Sequence, residues 1–393
     1  MSPLPTIQCL AEYHGPHYAL YNADAVHLAR QLPTGCVGLR IASLPFSNLY
    51  AYSDFAADMG NCLDDRQFFQ QFSYLAHEQY RVLRPGAICV EHCKDLVDYK
   101  GRDGRAGLRD FPSDIVRSYE ACNNLCEGCQ QYGHTGPYCQ ACGGRVSLRD
   151  GFKLHSKVII WKCPVREMMR TKAHGLLYKQ LRADGSFSRQ GLMEYLLVFR
   201  RWPENEAEQA IADAHPVTHT EEEIQLPEWQ QIASPVWVVV EPGPAADAHD
   251  LEALAQALAP FGAEAQRAGL AVLQSRPRMA VPRQDIDVTD VLNVDMAAEN
   301  RRDEGHTCPL QLDVIERAVR LWSNPGDVVW SPFAGIGSEG VGALRAKRRE
   351  GGRLVDAPRY FLGTELKPEY AELAAANLER AEPGAAGSQT SMF

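Results

Sequence analysis

The absences in this chain narrow what it can be. No apolar run reaches the roughly twenty residues that a bilayer-spanning helix needs, which argues against a helical membrane protein. Met1–Leu10 has neither a basic flank nor a long apolar segment, so no signal peptide is expected and a cytoplasmic location is. No internal repeat recurs, which excludes a solenoid or propeller. Lys and Arg are absent from Pro203–Pro260, which holds twelve Asp or Glu. The formal net charge of −10 therefore comes from one stretch, and the remainder can still meet a polyanion. Lys157–Arg201 has the opposite balance, ten Lys or Arg against three Asp or Glu, which suits phosphate contacts. An unevenly charged, solvated surface is the plainer reading of the same counts.

What is present fits a globular protein: 45% hydrophobic and 23% charged residues over 393 positions, room for two or more folding units or one enlarged domain. Twelve cysteines without a secretion signal point to a reducing compartment and to metal binding rather than to a disulfide framework. Four of them form paired turns, Cys126-x2-Cys129 and, nine residues on, Cys139-x2-Cys142. Two such turns bring four thiolates into a tetrahedron around Zn²⁺, and with no open coordination position the zinc is expected to be structural. Cys122 and His134 are spare donors, either of which could displace one of the four.

The chain is organised around Val328–Gly340, VVWSPFAGIGSEG. A β-branched run leads into Ser331-Pro332-Phe333, then into the turn Ala334-Gly335-Ile336-Gly337, then into a helical segment, Ser338–Lys347. Strand, glycine turn and helix open a cradle for a nucleotide-like ligand, because glycine lets backbone approach where a Cβ would collide. Tyr360–Glu365 reads as a further strand ending in a carboxylate, placed to accept hydrogen bonds from ribose hydroxyls. By itself the turn is equally an ordinary tight turn. With the acidic strand end it favours an adenosyl ligand, without separating a dinucleotide from S-adenosylmethionine. The turn lacks the full GxGxxG spacing, which disfavours a nicotinamide-dependent oxidoreductase.

Upstream, Tyr18–Asn22 reads as a strand and Ala25–Gln31 as a helix. Gly38–Ala42 is an apolar strand running straight into Ser43-Leu44-Pro45-Phe46, where open α/β sheets place their chemistry. Ser47–Asn61 reads as an aromatic loop, Asp65–Leu83 as a helix, Ala87–Glu91 as a strand, and Lys94–Leu108 as a mobile loop. Pro112–Cys122 is a helix opened by Ser113 or Asp114. Ser156–Trp161 and Tyr195–Phe199 are strands, with a basic helix over Val165–Leu181 between them. Ala245–Ala259 is an alanine-rich helix among prolines. Leu292–Arg302 is loop, and Leu312–Trp322 and Pro368–Ala381 are helices.

Four pieces in this order, SLPF, HTCPL, SPFAGIGSEG and FLGTELKPEY, resemble the DNA amino-methyltransferases of the N4-cytosine/N6-adenine group, in the permuted arrangement called β. There the catalytic tetrapeptide precedes the cofactor loop. The resemblance covers about residues 16–121, 152–202 and 284–380, and the runs YKGRDGRAGLRDFP and RTKAHGLLYKQLR look closest to phage and prophage members. It implies a Rossmann-like α/β fold that is S-adenosylmethionine-dependent, with a mixed, mostly parallel sheet and helices on both faces, into which the cysteine spacing adds a small zinc-knuckle insertion. With the knuckle (122–151) and an acidic insertion (203–283), both outside the shared pattern, the chain divides into a catalytic half (1–121), a basic DNA-facing continuation (152–202) and a cofactor-binding half (284–393).

By this resemblance Phe333, Ala334, Gly335 and Gly337 line the S-adenosylmethionine pocket and Glu365 holds the ribose. His306, Thr307, Cys308 and Pro309 pack on the methionine end, and Asp24 lies near the adenine. Ser43, Pro45 and Phe46 match the catalytic tetrapeptide, with Leu44 where the family usually has proline, a residue that stiffens the turn. Lys100, Arg102, Arg105, Arg170, Lys172, Lys179 and Arg182 are the DNA-facing cations. The implied partner is double-stranded DNA in a bacterial host cytoplasm, with a homodimer and a restriction-modification partner left open.

The residue types suit the chemistry. An exocyclic amine is a poor nucleophile because its lone pair is delocalised into the ring. The Ser43 hydroxyl and the Leu44 carbonyl can accept its two hydrogens and aim the lone pair at a sulfonium methyl, so that positioning supplies much of the rate. The target is hidden in a duplex, so the base is flipped out and stacks on Phe46. Serine at the first position leans toward cytosine N4, and aspartate there would lean toward adenine N6. The readings kept beside this one are adenine N6 transfer and a DNA-binding module that retains the fold but has weakened chemistry.

Overall fold

The structure, a computed structural model, describes residues 7–49, 51, 53–98, 100–164, 178–187, 191–221, 223–240, 286–292 and 310–384, the side chains of residues 102 and 240 excepted. The expected helix over Ala245–Ala259, the segment His306–Pro309 and most of the basic run Val165–Leu181 lie outside these residues.

Ten strands form one sheet: β1 (Ala11–Gly15), β2 (Tyr18–Asn22), β3 (Val37–Ser43), β4 (Leu83–Lys94), β5 (Lys153–Trp161), β6 (Glu194–Arg200), β7 (Val236–Val240), β8 (Ile286–Asp287), β9 (Val328–Ser331) and β10 (Tyr360–Glu365). Their spatial order is β1-β2-β10-β9-β3-β4-β6-β5-β7-β8. The five strands from β2 to β4 are mutually parallel, and β6 runs antiparallel to both β4 and β5. This is the mixed, mostly parallel sheet that the resemblance implies. Seven helices matter here: α1 (Ala25–Gln31), α2 (Asp65–Val82), α3 (Phe111–Glu120), α4 (Glu206–Ala214), α5 (Leu312–Trp322), α6 (Ser338–Leu344) and α7 (Pro368–Ala381).

Alternation along the strands builds a core on each face. Cys89 and Cys93 face one cluster with Leu28, Phe68, Phe72 and Phe111, while Leu39, Ile41 and Val90 face the other with Ile315, Val319 and Phe361. Each fully buried Phe or Leu contributes about 2 kcal/mol through burial. Arg40 is also fully buried in mid-sheet, where it ion-pairs with Glu91 and donates to the Val90 carbonyl. The Tyr119 hydroxyl donates to Glu91 at 2.7 Å, so the charge is paired, although Arg40 Nε and Nη2 and Glu91 Oε1 have no hydrogen-bond partner among the described residues.

Strand direction positions the site. In register, Asn22 lies opposite Glu365, Gly363 opposite Ser331, and Ser43 opposite His92. The parallel strands therefore deliver these side chains to one edge of the sheet. From β3 the chain crosses through α2 to its neighbour β4; from β9 it crosses through α6 to its neighbour β10, in the other direction. A crevice opens between β3 and β9, where the order reverses.

The structure differs from expectation in four places, each for a visible reason. The stretch read as a mobile loop, Lys94–Leu108, contains a hairpin in which Leu96–Asp98 pairs with Gly107–Arg109. The helix after the glycine turn stops at Leu344, because Lys347–Glu350 pairs with Arg353–Asp356. The α3 cap is Asp110, which accepts the Ser113 N–H at 3.3 Å, rather than Ser113 or Asp114. The stretch 203–283, read from composition as an insertion, contributes α4 against β4 and the strand β7 to the main sheet.

Candidate active site

The crevice is a cleft lined by Asp24, Ser43, Leu44, Pro45, Phe46, Phe333, Ala334, Gly335 and Glu365, all residues singled out from the sequence. Ser53, Asp58, Met59, Leu310, Ser338, Glu339, Lys367 and Tyr370 complete its walls. It is a cleft open to solvent at its mouth, at the switch point where open α/β sheets bind their ligands.

One wall is the glycine turn. Gly335 (φ +53°) and Gly337 (φ +92°) occupy the left-handed region, where a side chain would be strained. A Cβ on Gly337 would also sit 3.3 Å from the Ala374 backbone of α7. Asn377 of α7 braces the turn by donating to the Ile336 carbonyl at 2.9 Å. The Glu365 carboxylate accepts the N–H of Gly335 and that of Lys367, each at 2.8 Å, which clamps the turn to the end of β10. Burial pushes this carboxyl up to about 7, against the pull of those two N–H donors. Asn22 donates to the carbonyls of Glu365 and Leu366 at 2.8 and 2.9 Å, and so ties β2 and the α1 cap Asp24 to the same corner. Asp24 accepts the His27 N–H at 2.7 Å.

The facing wall is the tetrapeptide. The Leu44 N–H donates to the His92 carbonyl at 3.3 Å. A proline at that position has no N–H to give, so leucine replaces ring stiffness with an anchor to β4. Phe46 is buried in the cleft wall, with the Lys94 ammonium 5.1 Å from its ring centroid. The next residue, Ser47, holds a left-handed φ of +52°, stabilised by its hydroxyl donating to Asp65 at 2.5 Å. Arg109 in turn binds Asp65 at 2.7 Å. Asp58 folds the 53–61 segment over the cleft by accepting the N–H of Ser53 at 2.6 Å and of Gly60 at 2.8 Å.

Behind Ser43 stands a chain of groups that the sequence reading missed. Ser43 Oγ lies 3.0 Å from His92 Nδ1, and His92 Nε2 lies 3.0 Å from Glu194 Oε2. Lys162 Nζ lies 2.6 Å from the same Glu194 oxygen. Burial pushes the His92 imidazole below its ordinary range despite the pull of Glu194. Burial alone would raise Glu194, but Lys162 and His92 hold it well below the usual carboxylate range. Glu339, from the first turn of α6, accepts the Ser43 backbone N–H; burial pushes its carboxyl up to about 7. His92 lies inside β4, opposite Ser43 in the β3–β4 register, so only the pairing of those two strands brings it behind the serine.

A family profile described as DNA methylase, for the N6/N4 methylases, matches residues 41–376. The chain belongs to this DNA methylase family. Among solved structures it is similar to TTHA0409 of Thermus thermophilus, assigned as a DNA modification methylase and complexed with S-adenosyl-L-methionine. Identity is 20%, with 93% of this chain and 94% of that one covered and a TM-score of 0.51. It also matches the PvuII DNA methyltransferase, which is cytosine-N4-specific, at 13% identity, 94% and 90% coverage and a TM-score of 0.49. No curated protein sequence matches.

In this DNA methylase the two charge regions separate by position in the sheet. The chain leaves β5 at Trp161 and enters β6 at Glu194, which pairs with Lys94, so Lys162 and Met193 flank the cleft edge. Lys100 and Arg105 are exposed on the hairpin at that same edge, and Lys179 and Arg182 are exposed on the short helix Tyr178–Ala183. Arg170, Lys172 and the Arg102 side chain are outside the described residues. The acidic helix α4 lies at the other edge, where Arg201 binds Glu208 and the Leu83 carbonyl. No described helix of the methylase is long and apolar enough to cross a membrane.

The methylase's cysteine turns also meet. Cys126 and Cys142 sulfurs are 3.4 Å apart, and those of Cys129 and Cys139 are 3.7 Å apart. An edge of about 3.8 Å is what four Zn–S bonds of about 2.3 Å require. His134 joins this group: its ring nitrogen and the sulfurs of Cys126, Cys129 and Cys139 all lie within 4.8 Å of one another. Each turn closes on a left-handed residue, Gln130 (φ +58°) and Gly143 (φ +72°). The Cys129 N–H helps bring the Cys126 thiol down to about 7, toward the thiolate that a metal takes. Cys122 instead packs in the main core, and burial pushes it up to about 12.

Proposed function

We propose that this protein is a site-specific DNA methyltransferase acting on the exocyclic amine of a flipped base, with cytosine N4 as its target. The observation that carries the reading is the meeting of two distant strand ends. Ser43-Leu44-Pro45-Phe46 and the Gly335–Glu365 clamp face each other across one cleft. S-Adenosylmethionine, the ligand named for the Thermus neighbour, fits the donor set, and when bound it supplies an electrophilic methyl group. Glu365 would hold its ribose and Gly335 its backbone-facing side, with Asp24 near the adenine, while Gly337, expected to line the pocket, packs against Ala374 of α7 and acts through the shape of the turn. Ser43 Oγ and the Leu44 carbonyl would accept the amine hydrogens, so that the lone pair points across the cleft. Phe46 offers a ring to the flipped base.

Double-stranded DNA is the partner that the charge layout supports. The basic segments leave the cleft edge while the acidic helix stays at the far one, so phosphates meet cations beside the site. Zn²⁺ is the metal the cysteine turns suit, held by Cys126, Cys129, Cys139 and Cys142, with His134 placed to displace one of the four. Adenine N6 is the second target class, since the same cleft accepts any exocyclic amine. Incubating unmodified DNA with protein and S-adenosylmethionine, then digesting it for nucleoside mass spectrometry, tests the reading. N4-methylcytosine is expected. N6-methyladenine would move the target, and DNA binding with no methylated base would leave only a binding module.

A further inference from the structure

We infer that His92, backed by Glu194 and Lys162, is a positioning residue for the transfer. It turns the Ser43 hydroxyl so that the oxygen lone pairs face the target amine, and it receives, through Ser43, the proton that the amine must lose. This rests on the methyl-transfer reading above.

The argument is one of donors and acceptors. Lys162 Nζ sits 2.6 Å from Glu194 Oε2, which keeps that carboxylate ionised and therefore able only to accept. The same oxygen is 3.0 Å from His92 Nε2, so Nε2 carries the hydrogen. His92 is 1% exposed and Glu194 3%, so water does not compete for either. A neutral imidazole has one N–H, and Nδ1 is then an acceptor, 3.0 Å from Ser43 Oγ. Ser43 must donate its hydrogen to Nδ1. A serine without this partner rotates freely and donates toward the amine as readily as it accepts.

The proton balance follows. As the amine lone pair forms the N–C bond to the methyl, the C–S pair stays on sulfur and the product nitrogen carries one proton too many. That N–H breaks toward Ser43 Oγ while the Ser43 O–H breaks toward His92 Nδ1. The serine is restored, and the imidazolium formed faces Glu194. A protonated aryl amine is a strong acid, so a base weakened by burial still accepts from it. The charged groups around His92 are Glu194 on β6, Lys162 beyond β5, and Lys94 on its own strand; Glu339 of α6 reaches Ser43 from the other side. Neutral His92 is the working form, so the rate falls as pH drops through a value below the ordinary histidine range.

The test uses the full-length protein. In ¹⁵N-histidine spectra without cofactor, His92 is expected as the Nε2–H tautomer. Glu194→Gln is expected to lower kcat about 10²-fold with KM for DNA and cofactor little changed. Lys162→Met removes a cation that opposes protonation, so the acid limb of kcat is expected to move up by about one pH unit. A structural role would not shift that limb. The Nδ1–H tautomer in the wild type would overturn the inference. So would variants that bind S-adenosylmethionine normally and keep the wild-type rate and pH profile. A wild type that shows the Nε2–H tautomer yet methylates no DNA would uphold the orientation of Ser43 and overturn the methyl-transfer reading instead.

Discussion

Around the cleft, Ser43, Ser331 and Glu365 end strands whose flanks bury Trp330, Leu39 and Phe361 completely. Around the cysteines, the buried cluster is Cys126, Cys139 and Val146. The first region can hold its geometry through apolar burial on both sheet faces. The second has too little apolar surface to do so. It leans on its donor atoms and on a seam with α2, where Tyr132 stacks on His77 with centroids 3.6 Å apart and Gly133 lies against Ser73. One chain thus uses two ways of fixing side chains, and they should fail under different treatments.

The largest expected effect separates the regions. Stripping metal with a chelator should remove most hydrogen-exchange protection from Leu125–Ser147, a local loss on the order of 10 kcal/mol of metal-linked stability. Protection in α5 and β9 should hold. Protection unchanged in the knuckle, or metal analysis showing no zinc, would erase the contrast. Next, Ser43→Ala should cut methylation about 10²-fold and leave cofactor affinity nearly intact, since the clamp on the opposite wall is untouched. Equal turnover would remove Ser43 from the chemistry.

A third effect reads the cost of burying carboxyls at the cleft. Glu339 is raised to about 7 from an ordinary 4.5, so the folded state holds its proton through a window where the unfolded chain has lost it. Stability from this group is present below about 4.5 and is lost as pH rises toward 7. Glu339→Gln should therefore raise stability at pH 8 by about 2 kcal/mol and little at pH 4, by thermal unfolding at each pH. No pH dependence in the difference would show that Glu339 is not protonated. The smallest effect is Leu44→Pro, which restores the family pattern but deletes the N–H donated to His92. A loss of about 1 kcal/mol is expected. A gain would show that ring stiffness outweighs the anchor.

Much of the site could be read in the residues because it is local. The glycine turn requires left-handed φ at Gly335 and Gly337, and such positions announce themselves in composition. The strand ends at Ser43 and Glu365 follow from apolar runs that stop at a polar residue. The paired cysteine turns are local in the same sense. The Ser43–His92–Glu194–Lys162 chain was not legible. Its members sit 49 and 102 residues apart in successive pairs, and nothing in periodicity says which strands become neighbours. Arg40 illustrates the same limit: nothing near it in the chain announces the Glu91 and Tyr119 side chains that pair with it.

The sequence alone determined the central strands that carry the site, where backbone must turn left-handed, and which donor types a metal could take, because those preferences act over a few residues. The tertiary structure decided that β3 and β9 stand side by side with their carboxyl ends together. It also decided that His92 backs Ser43 and that acid and base lie at opposite edges. Those outcomes depend on strand order, which is set by burying two apolar faces at once and has no local signature.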